Sequence, residues 1–61
     1  MFYILINGLM ACEKQTAKDA LREAAQLESS QPLSQVMIES PKGSILTVGE
    51  LIDLVDIGFE W

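Results

Sequence analysis

The amino-acid sequence predicts a small α+β domain with the element order ββαββα. An antiparallel sheet of about four strands is expected to pack on one main helix, with a short C-terminal helix added. Three observations predict this fold. The Asn7-Gly8 pair between two apolar runs is typical of a tight hairpin, apolar residues recur at helical spacing over 17–28, and Thr47-x-x-Glu50 has the form of a capping box.

The first hairpin is predicted to join strands 2–6 and 9–13 through a type I′ turn, since Asn and Gly both tolerate positive φ. A two-residue loop then sets the expected cross-strand pairs. These pairs are Ile6 with Leu9, Leu5 with Met10, Ile4 with Ala11, Tyr3 with Cys12 and Phe2 with Glu13. Both faces of this hairpin are therefore expected to be apolar.

A first helix is predicted over 17–28, with Thr16 as the N-cap and Asp19 near the positive end of the helix dipole. Pro32 lies in the loop that follows it. The inner face is expected to carry Ala17, Ala20, Leu21, Ala24 and Leu27.

The second half of the chain repeats the order hairpin then helix. Strands are predicted at 33–39 and 44–46, joined by the type I turn pattern Ser40-Pro41-Lys42-Gly43. The capping box begins a helix over 48–56, and Gly58 is its expected C-terminal stop. The core face of this helix is expected to carry Val48, Leu51, Ile52 and Val55.

Composition favours a binding module over an enzyme. The 61 residues form one expected compact domain (1–61), and they include nine acidic residues, four basic residues, one cysteine and no histidine. A formal charge of −5 disfavours contact with phosphate backbones, so direct nucleic-acid binding is not expected. No glycine-rich loop, metal-ligand spacing or nucleophile–base pair is present, so neither a cofactor, a metal nor a catalytic residue is predicted.

A cytoplasmic location is expected. The N-terminal apolar run lacks a basic segment and is interrupted at Asn7-Gly8, which is unlike a signal peptide. The run is also far shorter than a membrane span. A lone Cys12 fits a reducing compartment.

One helix covers only one side of a sheet, so the second apolar face of the first hairpin needs another cover. The candidate covers are the C-terminal helix, a second copy of the chain, or a partner protein. For a homodimer, the expected interface residues are Tyr3, Leu5, Met10 and Cys12.

A second candidate surface lies on the C-terminal helix. Glu50, Asp53 and Asp56 are expected opposite the core, with Leu54 and Ile57 beside them. If the helix continued past Gly58, Glu60 and Trp61 would join this surface. The alternatives are a solvated acidic face, and a Trp61 that folds back to complete the core. The full partner-binding set is Glu50, Asp53, Leu54, Asp56, Ile57, Glu60 and Trp61.

The strand followed by Thr16-x-x-x-Ala20-Leu21-x-x-Ala24 resembles the N-terminal part of HicB-type antitoxins, over less than half of the chain. Those proteins place a hairpin before a helix of similar pattern, which implies a regulatory, self-associating module. In size and acidity the chain also looks like small phage-encoded proteins that inhibit a host enzyme.

The leading hypothesis is thus an acidic inhibitor or adaptor that docks on a basic surface of a host macromolecule, where it would occlude a nucleic-acid site. The alternative is a self-associating structural or antitoxin-like module.

Overall fold

A computed structural model describes residues 1–61 and confirms the predicted order ββαββα. The strands are β1 (Phe2–Ile6), β2 (Leu9–Lys14), β3 (Val36–Glu39) and β4 (Ile45–Thr47), and the helices are α1 (Ala17–Ser30) and α2 (Val48–Asp56). All neighbouring strands are antiparallel, in the sheet order β2-β1-β3-β4. The predicted α+β class is confirmed.

The turn of the first hairpin is confirmed. Asn7 and Gly8 have φ values of 53° and 84°, as a type I′ turn requires. The turn is also tied to β3, because the Asn7 amide donates to the Gln35 carbonyl at 2.8 Å and the Asn7 Oδ1 accepts from the Gln35 amide at 2.9 Å. These two hydrogen bonds to the residue before β3 extend the β1–β3 ladder into the turn.

The predicted register of this hairpin is wrong beyond its first two pairs. It shifts by one residue between Ile4 and Leu5, so a β-bulge makes Cys12, and not Ala11, the partner of Ile4. The remaining observed pairs are Tyr3 with Glu13 and Phe2 with Lys14. Since paired residues share a face, the bulge turns Cys12 toward the core, where it packs against the buried residues.

Helix α1 begins as predicted and extends two residues further than expected. The Thr16 side chain accepts from the Asp19 amide at 3.2 Å, which satisfies one of the free amides of the first turn. At the other end the Gln31 amide still donates to the Leu27 carbonyl, which keeps the last turn closed.

The second hairpin is shorter than predicted on its first strand. β3 starts at Val36 and not at 33, and the Leu33 side chain is fully exposed. The Ser34 amide donates to the Gln31 carbonyl, so the chain turns here instead of extending. The predicted turn is present, with the Gly43 amide donating to the Ser40 carbonyl at 2.9 Å.

Helix α2 has the predicted bounds and the predicted capping box. The Glu50 amide donates to Thr47 Oγ1 at 3.1 Å, and the Thr47 amide donates to Glu50 Oε1 at 3.0 Å. Gly58 follows the helix with a φ of 73°, a left-handed conformation that ends the helix as expected.

Both helices pack on the same face of the sheet and share one core. That core consists of Phe2, Ile4, Ala20, Ala24, Val36, Ile38, Val48 and Leu51. Ile52 was predicted to join it, but it is exposed. Because α2 packs on the same face as α1, the C-terminal helix does not cover the second face of the sheet. It was one of the three candidate covers for that face. Neither helix has the length and apolar composition that crossing a bilayer requires.

Candidate functional site

The face of the sheet opposite the helices is uncovered, and we call it the open face. Because side chains alternate along a strand, the positions between the core residues of each strand point to this side. They are Tyr3, Leu5, Met10, Glu13, Met37, Glu39, Ile45 and Thr47. Nothing within the chain packs a further layer over them.

An apolar row crosses the open face. Leu5 pairs with Met10 on one side and with Met37 on the other. Leu5 and Met37 are half-buried, whereas Met10 on the edge strand is 62% exposed. Methionine side chains adapt to irregular surfaces, so this row offers adaptable apolar contact area.

The next row carries two acidic residues, Glu13 and Glu39, which we call the acidic frame. Tyr3 pairs with Glu13 in β2 and with Glu39 in β3. Strands lie about 4.8 Å apart, so Glu13 and Glu39 are the cross-strand neighbours of Tyr3 on its two sides. Ile45 extends this row on β4 as the partner of Glu39, and it is exposed.

The open face carries no basic residue at any strand position. Lys14 pairs with Phe2 and therefore points to the helix side, where its Nζ lies 3.5 Å from Glu23 Oε1. This is the only salt bridge of the molecule. The other basic residues are Lys18 and Arg22 on α1 and Lys42 in the turn between β3 and β4. Glu13 and Glu39 are thus left without a cation.

The predicted self-association residues are not all on one face. Tyr3, Leu5 and Met10 share the open face, but the bulge puts Cys12 on the helix side. Cys12 is a half-buried free thiol. Burial raises its pKa, the Glu23 carboxylate raises the pKa further, and the Lys14 ammonium opposes both effects. A raised pKa keeps the thiol neutral, which disfavours nucleophilic chemistry.

Helix α2 presents the second predicted surface, the α2 strip of Glu50, Asp53, Leu54, Asp56 and Ile57. All three acids are exposed, although Glu50 is held in the capping box. Ile57 is 73% exposed, and Leu54 is half-buried.

The C-terminal tail leaves this strip. The helix ends at Asp56, so Glu60 and Trp61 do not continue its face. The Trp61 ring meets Phe2 and Phe59 edge to face, with centroid distances of 5.0 Å and 4.7 Å. Trp61 thus folds back onto the core, which was the alternative expected for it, and Glu60 remains exposed.

A shallow groove of about 330 Å³ separates the tail from the start of α1. It is lined by Thr16, Ala17, Lys18, Val55, Gly58, Phe59 and Trp61. Its lining includes one basic side chain, Lys18, and no acidic side chain. No group of three or more potential metal ligands converges anywhere in the structure.

Sequence reasoning left Glu13, Met37, Glu39 and Ile45 out of the candidate sites. A signal for two of them was present in the alternation of Val36 and Ile38, which puts Met37 and Glu39 on the opposite face of β3. The place of Glu13 depended on the bulge, which no sequence pattern indicated.

Searches against protein-family models, curated proteins and solved structures find no match to this chain.

Proposed function

We propose that this protein is a non-enzymatic binding module, an inhibitor or adaptor that docks through its open face on a basic surface of another protein. The observation that carries the proposal is that both helices pack on one side of the sheet. A four-stranded sheet is left with an exposed side on which an apolar row, Met10, Leu5 and Met37, lies beside a row that carries Glu13 and Glu39. Exposed apolar patches rimmed by polar groups are typical of interaction sites.

Charge favours a basic partner over a second copy. In a face-to-face homodimer, Glu13 and Glu39 of both copies would enter one apolar contact, and no lysine or arginine on that face would compensate them. Burying uncompensated carboxylates is costly. A partner that supplies cations removes this cost and also accelerates encounter with a chain of charge −5. The same surface on the partner would be one that binds nucleic acid in the absence of this protein.

The proposed site of action is the cytoplasm, since the one cysteine is a free thiol and a reducing compartment preserves it.

A pull-down with charge-reversal variants tests the proposal. The wild-type chain is used as bait in a lysate of its native host, beside E13K/E39K on the open face and D53K/D56K on the α2 strip. The two variants change the net charge equally, so they separate location from overall charge. Circular dichroism confirms that each variant is folded, and light scattering gives the mass of each bait.

We expect one stoichiometric partner that is captured by the wild type and by D53K/D56K, is lost as salt rises, and is not captured by E13K/E39K. Capture that is lost only with D53K/D56K would move the site to the α2 strip. A stable homodimer that captures no partner would overturn the proposal in favour of the self-associating module.

A further inference from the structure

We infer that the occupant of the open face is a basic amphipathic helix of the partner, lying along the apolar row with a cationic side chain over Tyr3. This inference rests on the proposed function, because it specifies the chemistry of the partner at the same surface. It is carried by the dimensions of the face, by its apolar row and by the position of its two unpaired carboxylates.

The dimensions of the face suit one helix. A helix along the row of Met10, Leu5 and Met37 runs perpendicular to the strands, and it crosses four strands, about 14 Å at a spacing of about 4.8 Å, in fewer than three turns of about 5.4 Å. With its side chains the helix is about 10–12 Å across, which is wide enough to cover both the Leu5 row and the Tyr3 row, about 6.6 Å apart along the strands. One helix therefore covers the face. A helix here would also make the sheet the middle of three layers, with α1 and α2 on the other side.

The free edges of the sheet make strand addition a poorer choice. β4 has only three residues, and β2 carries the bulge opposite Ile4 and Leu5. Short and bulged edge strands do not provide the regular ladder that an added strand needs. Binding is therefore expected over the face and not along its edge.

The apolar row sets where the partner's apolar side chains lie. Met10, Leu5 and Met37 stand side by side on three neighbouring strands. Met10 and Met37 are separated by about 10 Å across two strand spacings. Apolar side chains three and four positions apart on a helix form a stripe that spans this distance.

The acidic frame sets where the partner's charge lies. Glu13 and Glu39 flank Tyr3, and the ring face of a tyrosine attracts a cation. An arginine or lysine at the border of the partner's apolar stripe reaches the ring and both carboxylates at once. An anionic partner, whether nucleic acid or an acidic membrane, meets repulsion at the same place.

Synthetic peptides test this inference without knowledge of the natural partner. The probe is an amphipathic peptide of about 18 residues, long enough to form a helix in water, with a leucine stripe flanked by arginines. Two control peptides have the same length: one with the order scrambled to remove the stripe, and one with glutamate in place of each arginine. Binding to the full chain is followed through the methyl NMR signals of Met10 and Met37.

We expect the probe to shift the Met10 and Met37 signals, and both control peptides to leave them unchanged. E13Q/E39Q removes the frame without reversing charge and should weaken probe binding by about tenfold, as two partly exposed ion pairs would. D53N/D56N removes the same charge from the α2 strip and should change the affinity by less than about twofold.

Three results would overturn the inference. They are no binding of the probe, binding that E13Q/E39Q does not weaken, and concentration-dependent changes of both methyl signals without peptide, which would identify a second copy as the occupant. If any of these occurs while E13K/E39K still loses the partner from lysate, the proposed function stands and only the helical, cationic occupant is wrong. If the probe binds as expected but capture from lysate is insensitive to E13K/E39K, the proposed function fails on its own.

Discussion

The indole ring of Trp61 meets the ring of Phe2 edge to face, with centroids 5.0 Å apart and planes at 84°. This contact joins residue 61 to the first strand. Phe2 is a buried member of the core, and Trp61 is itself half-buried against that core. We therefore expect Trp61 to contribute to the stability of the fold.

Replacing Trp61 with alanine should destabilise the fold. We expect W61A to lower the free energy of unfolding by about 2 kcal/mol, because it removes both a half-buried aromatic surface and an edge-to-face pair. Urea unfolding followed by far-UV circular dichroism measures the change. F59A is the matched control, because Phe59 contacts Trp61 but is itself exposed. F59A should lower the free energy of unfolding by less than W61A does. A W61A variant as stable as the wild type would return Trp61 to the candidate binding surface.

The link between Asn7 and Gln35 gives a second prediction. N7A removes the side chain that accepts from the Gln35 amide and puts alanine at a φ of 53°, which costs about 1–2 kcal/mol in total. N7G removes the same hydrogen bond but accepts the positive φ. It should therefore cost less than N7A in thermal or urea unfolding. Equal losses in the two variants would show that turn strain contributes nothing.

The first hairpin shows how far sequence reasoning reaches. Asn7-Gly8 fixes the turn, and the turn fixes the pairs Ile6–Leu9 and Leu5–Met10. Beyond them register depends on which face is apolar, and both faces of this hairpin are apolar. Local sequence therefore did not indicate that Cys12 would point to the core in place of Ala11.

The side of the sheet that α2 covers was also beyond the sequence pattern, since an amphipathic helix fits either face. The structure gives a physical reason for the outcome. Thr47 is both the last residue of β4 and the N-cap of α2, so no loop separates the two elements. Leu46 points to the core side as the partner of Ile38, and Val48 enters the same core directly after the cap. Because no loop separates β4 from α2, the helix stays on the core side of the sheet. The opposite face therefore remains uncovered.

The capping box at this junction gives a third prediction. T47A removes the acceptor for the Glu50 amide and should lower the free energy of unfolding by about 1 kcal/mol. E50Q retains an oxygen acceptor for the Thr47 amide and should lower the free energy of unfolding by less than T47A does. Denaturant titration measures both, and a larger loss for E50Q than for T47A would mean that Glu50 stabilises the helix through its charge. Because Glu50 has this structural role, binding tests of the α2 strip are better placed at Asp53 and Asp56.

The environment of Cys12 gives a prediction about pH. Burial and the Glu23 carboxylate raise the pKa of the thiol, and the Lys14 ammonium lowers it. The rate of alkylation by iodoacetamide follows the thiolate fraction. We therefore expect the rate for the folded chain to rise at a higher pH than the rate for the same chain in urea. E23Q should move the folded profile to lower pH, and K14Q should move it to higher pH.

The same shift predicts how stability depends on pH. A thiol whose pKa is raised by folding releases its proton more readily when the chain unfolds. Alkaline pH therefore lowers the free energy of the unfolded state relative to the folded state. The contribution of Cys12 to stability is complete at pH values below the pKa of the unfolded thiol. It declines as the pH rises past that value, and it levels off above the folded pKa. C12S should reduce this alkaline decline when urea midpoints are compared across the same pH range, because serine does not titrate there. An equal decline in C12S and the wild type, together with coincident alkylation profiles in the folded and unfolded chains, would show that the thiol is solvated and that the bulge does not bury it.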